Sequence, residues 1–231
     1  MKLLLTSNGL CNESIREALR GMMGKPTGEA RMVFVPTGSW PVRGDKTWLV
    51  DDMRRAHDMG WKQFEVVDIT AVADWPKELW MPVFEKADVI MFCGGYAQYL
   101  SYWLQKSGLM DALPQLLRDQ NKVYVGISAG SMVATKSLAT SSSRLRELMG
   151  FPDDEAKQVP QGQSAAGTLG LTDFLFRPHF NSPLFPTARE DVIRKLAAKI
   201  EQPVYLVDDE TAVRVVGDKV DVVSEGEWLL L

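Results

Sequence analysis

The sequence is short of the residues that mark metal centres, disulfide frameworks and nucleic-acid surfaces. It has two cysteines, Cys11 and Cys93, and neither lies in a CxxC or Cys/His spacing. A zinc site and a disulfide scaffold are therefore not expected. Cys93 closes an apolar run and reads as a small buried hydrophobe. No cluster of Lys and Arg interrupts a net charge of -4, so the counterion-displacing stripe of a nucleic-acid binder is missing. No apolar run approaches the roughly 18 residues of a membrane span. The opening Met1-Lys-Leu-Leu-Leu-Thr-Ser is too short for the apolar core of a signal peptide. The expected setting is the cytoplasm, with no cofactor, no metal, no nucleic acid and no membrane. Histidine is as scarce as cysteine: only His57 and His179 occur.

What is present is ordinary globular composition, 45% hydrophobic and 24% charged over 231 residues. That length suits one catalytic domain over residues 1–231. Short apolar runs at Lys2–Thr6, 32–35, 64–67, Val89–Phe92 and Val123–Ile127 read as buried strands. Helical stretches alternate with them at Glu13–Met23, 48–59 and 99–105. Asn12 is a natural N-cap for the first. Strand and helix in alternation predict an α/β fold, a doubly wound and mostly parallel sheet flanked by helices. Such sheets bind ligands at the carboxyl ends of their strands. The pattern lapses over residues 137–167, which predicts a site wall or lid. It resumes with a helix over 189–200 and strands at Val204–Val207, Thr211–Val216 and 219–223. Gly217-Asp218 makes a hairpin turn between the last two.

Gly126-Ile127-Ser128-Ala129-Gly130 matches G-x-S-x-G, with an apolar strand running into it and a helix able to follow. Small flanking residues permit the sharp turn that exposes a serine at a strand end. A serine hydroxyl needs a base. His57 lies in a charged helical stretch and reads as a surface residue. His179, after an apolar run and Pro178, is the base to expect. The acid that orients it should come from the turn Asp208-Asp209-Glu210, whose three acids the chemistry does not rank. The Ala129 N–H and the glycine turn Gly94-Gly95 are candidate oxyanion donors.

Together these residues resemble the aspartyl dipeptidase (peptidase E) and cyanophycinase family of serine peptidases. The order matches over most of the chain: Gly94-Gly95, the elbow at Ser128, Pro178-His179-Phe180, then an acidic turn into a hairpin. The resemblance implies a three-layer sandwich similar to class I glutamine amidotransferases (flavodoxin-like). It implies cleavage of short peptides, dipeptides with N-terminal aspartate foremost, without a metal. Ser128 would be nucleophile, His179 base and Asp209 acid, with Glu210 the alternative. Arg189 would hold the substrate carboxylate, and Tyr96 and Gln98 would face the substrate. Gly94-Gly95-Tyr96-Ala97-Gln98 departs from the family's three glycines followed by Asn or Asp, which alters that loop. The expected partner is a small peptide, and a homodimer is a candidate assembly. The alternative is an amidotransferase-like relative with another amide substrate or a metabolite-binding role. An α/β-hydrolase would place a histidine after the acid, and none follows Glu210.

Overall fold

The computed structural model describes residues 1–149 and 156–231. The chain runs β1 (Lys2–Thr6), α1 (Glu13–Met23), β2 (Arg31–Val35), α2 (Thr47–His57), β3 (Gln63–Val66), α3 (Ile69–Val72) and α4 (Lys77–Lys86). It continues through β4 (Val89–Phe92), α5 (Ala97–Ser107), α6 (Leu109–Leu116), β5 (Val123–Ile127), α7 (Ala129–Ala134) and α8 (Ser142–Met149). It closes with β6 (Leu175–Arg177), α9 (Glu190–Ala197), β7 (Val204–Val207), β8 (Thr211–Val216), β9 (Lys219–Ser224) and β10 (Trp228–Leu230).

Seven strands form one sheet in the order β3-β2-β4-β5-β1-β8-β9. The first five are parallel; β8 and β9 are antiparallel to their neighbours. The expected α/β layering holds. Strand alternation sorts the core onto two faces. Leu3, Leu5, Ile90 and Phe92 pack under α5, α6 and α7, and Leu4, Phe34, Met91 and Val125 pack under α1 and α2. All five residues of β5 are buried, as a strand covered on both faces must be. Each buried Leu or Ile side chain stabilises by roughly 1.5–3 kcal/mol. In α1 the Asn12 side chain accepts from the Ile15 N–H at 3.0 Å, and Gly24 ends the helix in the left-handed region.

Three features depart from the pattern read in the sequence. A second sheet, β10-β7-β6, stands beside the first, with α9 and Leu145 packed on it. Residues 137–167 are not wholly irregular, since they include α8. The late helix ends at Ala197 rather than at 200, because Lys199 and Ile200 close tighter turns onto Leu196 and Ala197.

Candidate active site

The site lies where the two sheets meet, just past the carboxyl ends of two pairs of parallel strands. In the large sheet Thr6 of β1 faces Ile127 of β5, so Ser7 and Ser128 emerge side by side. In the small sheet Arg177 of β6 faces Leu206 of β7, so His179 and Asp209 emerge two and three residues further on. A hydrogen bond from Phe180 N–H to the Val207 carbonyl (2.9 Å) ties the histidine loop to the acidic turn.

Ser128 adopts φ 48° and ψ −103°, a conformation that costs a non-glycine residue about 1–3 kcal/mol. It is held there on both sides. Its N–H bonds the Thr6 carbonyl at 2.9 Å, and its own carbonyl accepts from Met132 at 3.0 Å. The turn needs close backbone approach: a Cβ on Gly130 would lie 2.2 Å from the Phe92 carbonyl oxygen.

His179 also has positive φ, 65°. Its N–H donates to Ser7 Oγ at 2.9 Å, and its ring stacks on Phe185 with centroids 4.0 Å apart. The two ring nitrogens then face two partners. Nε2 lies 2.9 Å from Ser128 Oγ, and Nδ1 lies 2.6 Å from Asp209 Oδ1. His57 is exposed at the end of α2, beside Asp58.

Of the three acids in the turn, only Asp209 reaches the imidazole among the described residues. Asp208 is used within the turn, accepting from Thr211 Oγ1 at 2.6 Å and the Glu210 N–H at 3.1 Å. Glu210 is exposed. Burial disfavours the Asp209 charge. The His179 hydrogen bond and charge and the Ser7 hydroxyl outweigh it, leaving the carboxyl below its ordinary range. Ser7 was not singled out in the sequence. Its signal there was faint, a hydroxyl just past the first strand. In the structure Ser7 Oγ donates to Asp209 Oδ1 at 2.7 Å.

A cavity of about 360 Å³ opens beside Ser128, His179 and Asp209, walled by Val42, Trp48, Tyr96 and Phe185 among others. The Gly94-Gly95 turn borders it. A Cβ on Gly94 would sit 3.5 Å from Ser128 Cβ. Gly95 has φ 124°, and a Cβ there would overlap the Gly38 carbonyl oxygen at 2.0 Å. Ala129 opens α7, where a first-turn N–H has no earlier turn to bond. Tyr96 is buried in the cavity wall, and its hydroxyl accepts from Ser143 of α8 at 3.1 Å. The stretch 137–167 reaches the cavity at Gln158, which accepts from the Arg43 N–H at 2.8 Å. Residues 150–155 of that stretch lie outside the described residues.

A smaller cleft of about 40 Å³ also adjoins Ser128 and Gly95. Gln98 lines it and donates to Ser141 Oγ at 3.0 Å. Arg177 lines it too, almost fully buried, with its guanidinium donating to the Thr140 carbonyl, Ser142 Oγ and Thr187 Oγ1. Arg189 lines neither space. It lies on an open face with Glu190, Asp191 and Arg194, its guanidinium 3.4 Å from Asn181 Oδ1.

An α/β sandwich with a hydroxyl, an imidazole and a carboxylate bonded in series belongs with the serine hydrolases in kind. The chain is a member of peptidase family S51, whose sequence profile matches residues 3–223. It is thus a peptidase of the serine type. No protein of curated function matches it in sequence. Several solved structures share its fold, among them two peptidases. One is a candidate peptidase E protein from Listeria monocytogenes EGD-e, 21% identical, with TM-score 0.72, covering 97% of this chain and 98% of that one. The other is a peptidase from an acI-B1 Actinobacterium, 19% identical, with TM-score 0.59, covering 100% of this chain and 93% of that one. Among the described residues, no helix is long and apolar enough to cross a membrane.

Proposed function

We propose that this protein is a cytoplasmic peptidase that hydrolyses short peptides, dipeptides with N-terminal aspartate foremost, through an acyl-enzyme on Ser128. One observation carries the reading: Ser128 Oγ, His179 and Asp209 are linked by contacts of 2.9 and 2.6 Å at the edge of the large cavity. His179 Nε2 takes the Ser128 proton as Oγ attacks the scissile carbonyl. Asp209 fixes the imidazole tautomer and stabilises its cation. The Ala129 N–H and the Gly94-Gly95 turn receive the negative oxygen of the tetrahedral intermediate. His179 then protonates the leaving amine, and water releases the acyl group by the same steps in reverse order.

The aspartate preference draws on Arg177 rather than Arg189. Arg177 is the cation lining the cleft beside Ser128, and a guanidinium suits a carboxylate. The test is hydrolysis of a panel of Asp-X and X-Leu dipeptides by the native protein and by Ser128→Ala. Loss of all turnover in the variant is expected. Turnover that depends on Ser128 yet ignores aspartate would keep the mechanism and remove the substrate claim.

A further inference from the structure

The large cavity has a charge pattern that the hydrolytic machinery does not use. Apart from the Tyr96 phenol, its only ionisable lining residues, among those described, are Asp52, His179 and Asp209; no lysine or arginine lines it. His179 and Asp209 are engaged with each other. Asp52 stands apart from them, on α2.

Trp48 and Asp52 are four residues apart on that helix, so they share one face, and both line the cavity. Asp52 is 4% exposed. Its Oδ1 has no hydrogen-bond partner among the described residues. Its nearest cation, Arg55 Nη1, stands 3.8 Å away, beyond hydrogen-bond reach. On the other oxygen, Oδ2, the contact is the Cys93 thiol at 3.9 Å. A buried carboxyl left this way costs stability, so its presence in a binding cavity needs a reason. Burial pushes it up to about 7, against the pull of Arg55 and with the repulsion of Asp51.

Resting on the peptidase reading, we propose that Asp52 and Trp48 form a subsite for an ammonium group of the peptide, making Asp52 a specificity-determining residue. A carboxylate and an indole face together hold a cation by charge and by the ring's quadrupole. The Asp52 side chain is 5% exposed, which suits a compact ammonium over the wide fork of a guanidinium. The ammonium donates to the Asp52 carboxylate and draws it into its charged form. Two sources share this chemistry: the α-amino group of the first residue and a lysine side chain.

The experiment measures binding, by calorimetry on the Ser128→Ala protein, so that turnover is not needed. The probes are Asp-Leu, N-acetyl-Asp-Leu, N-acetyl-Lys-Leu and N-acetyl-norleucyl-Leu. Asp-Leu binding at least about tenfold tighter than its acetylated form assigns the subsite to the α-amino group. N-acetyl-Lys-Leu exceeding its norleucine counterpart by the same factor assigns it to lysine. In either case adding Asp52→Asn brings the preferred ratio to near one. Arg55→Gln, which removes the competing cation and keeps Asp52, widens it. No amine preference in either pair, or a preference that survives Asp52→Asn, overturns the proposal. So does a ratio that Arg55→Gln leaves unchanged or narrows. Hydrolysis that persists in Ser128→Ala would instead sink the peptidase reading and leave these ratios standing as measured.

Discussion

Ser7 donates its hydroxyl to Asp209 across 2.7 Å while accepting the backbone N–H of His179 at 2.9 Å. One side chain at the end of β1 therefore fixes the acid and the base at once. The Ser7 hydroxyl bonds the charged form of Asp209, so it helps lower that carboxyl. Removing it raises the Asp209 pKa. Stability that needs the ionised acid is then lost at a higher pH than before. In Ser7→Ala the acid-unfolding midpoint should move up, with kcat lowered about tenfold and KM little changed. An unmoved midpoint with native kcat would mean that Ser7 does not act on Asp209.

Asp209 and Glu210 are neighbours with different surroundings. Asp209 Oδ1 is 2.6 Å from His179 Nδ1, and Glu210 is exposed. Asp209→Asn should lower kcat on the order of 10³- to 10⁴-fold, because an amide leaves the imidazole in the wrong tautomer and its cation uncompensated. Glu210→Gln should stay within about twofold of the native protein. Kinetics on the two variants decide the matter, and loss confined to Glu210→Gln would reverse the assignment.

The parallel sheet was legible because β1, β4 and β5 are continuous apolar runs buried on both faces, a pattern that little else produces. The elbow was legible because its glycines and serine follow such a run directly. The small sheet was not. Its β6 and β10 are three residues each, and β10 is largely exposed at Trp228 and Leu230, so neither shows a period. Its pairing joins segments far apart in sequence, which local pattern does not report. Arg177 is hidden in the sequence for the opposite reason. Arginine normally marks the surface, and here it is 1% exposed, ringed by hydroxyls and a carbonyl. Arg189 read well as a carboxylate anchor from its neighbours in the chain. The side chain lies on another face, a matter of tertiary geometry alone.

The Gly94-Gly95 turn is built on a backbone approach that only glycine permits. A methyl group on Gly95 would meet the Gly38 carbonyl oxygen at 2.0 Å, at a φ of 124° that side chains rarely adopt. Tyr96 N–H donates to that same carbonyl at 2.8 Å. Gly95→Ala should cost roughly 3 kcal/mol and reduce turnover by at least about tenfold in the fraction that folds. Chemical denaturation and kinetics on the variant measure both. Native stability with native kcat would show that the turn does not bear on Ser128.

Asp52 gives a stability signature with a definite sign. Its folded pKa is raised, to about 7, so between the unfolded value of 3.8 and about 7 the folded protein holds more protons than the unfolded chain. Stability from this group therefore falls as pH rises through that window. Asn does not ionise. Asp52→Asn should be more stable than the native protein at pH 8, by on the order of a few kcal/mol, and the gap should shrink by pH 5. Melting temperatures at the two pH values test this. A difference independent of pH would contradict it.

The central claim is that Ser128 forms the acyl-enzyme. Its most direct test is the rate of dipeptide hydrolysis by purified native and Ser128→Ala protein, both confirmed folded by circular dichroism. A fall on the order of 10³-fold or more is expected. Hydrolysis at the native rate by Ser128→Ala would contradict it.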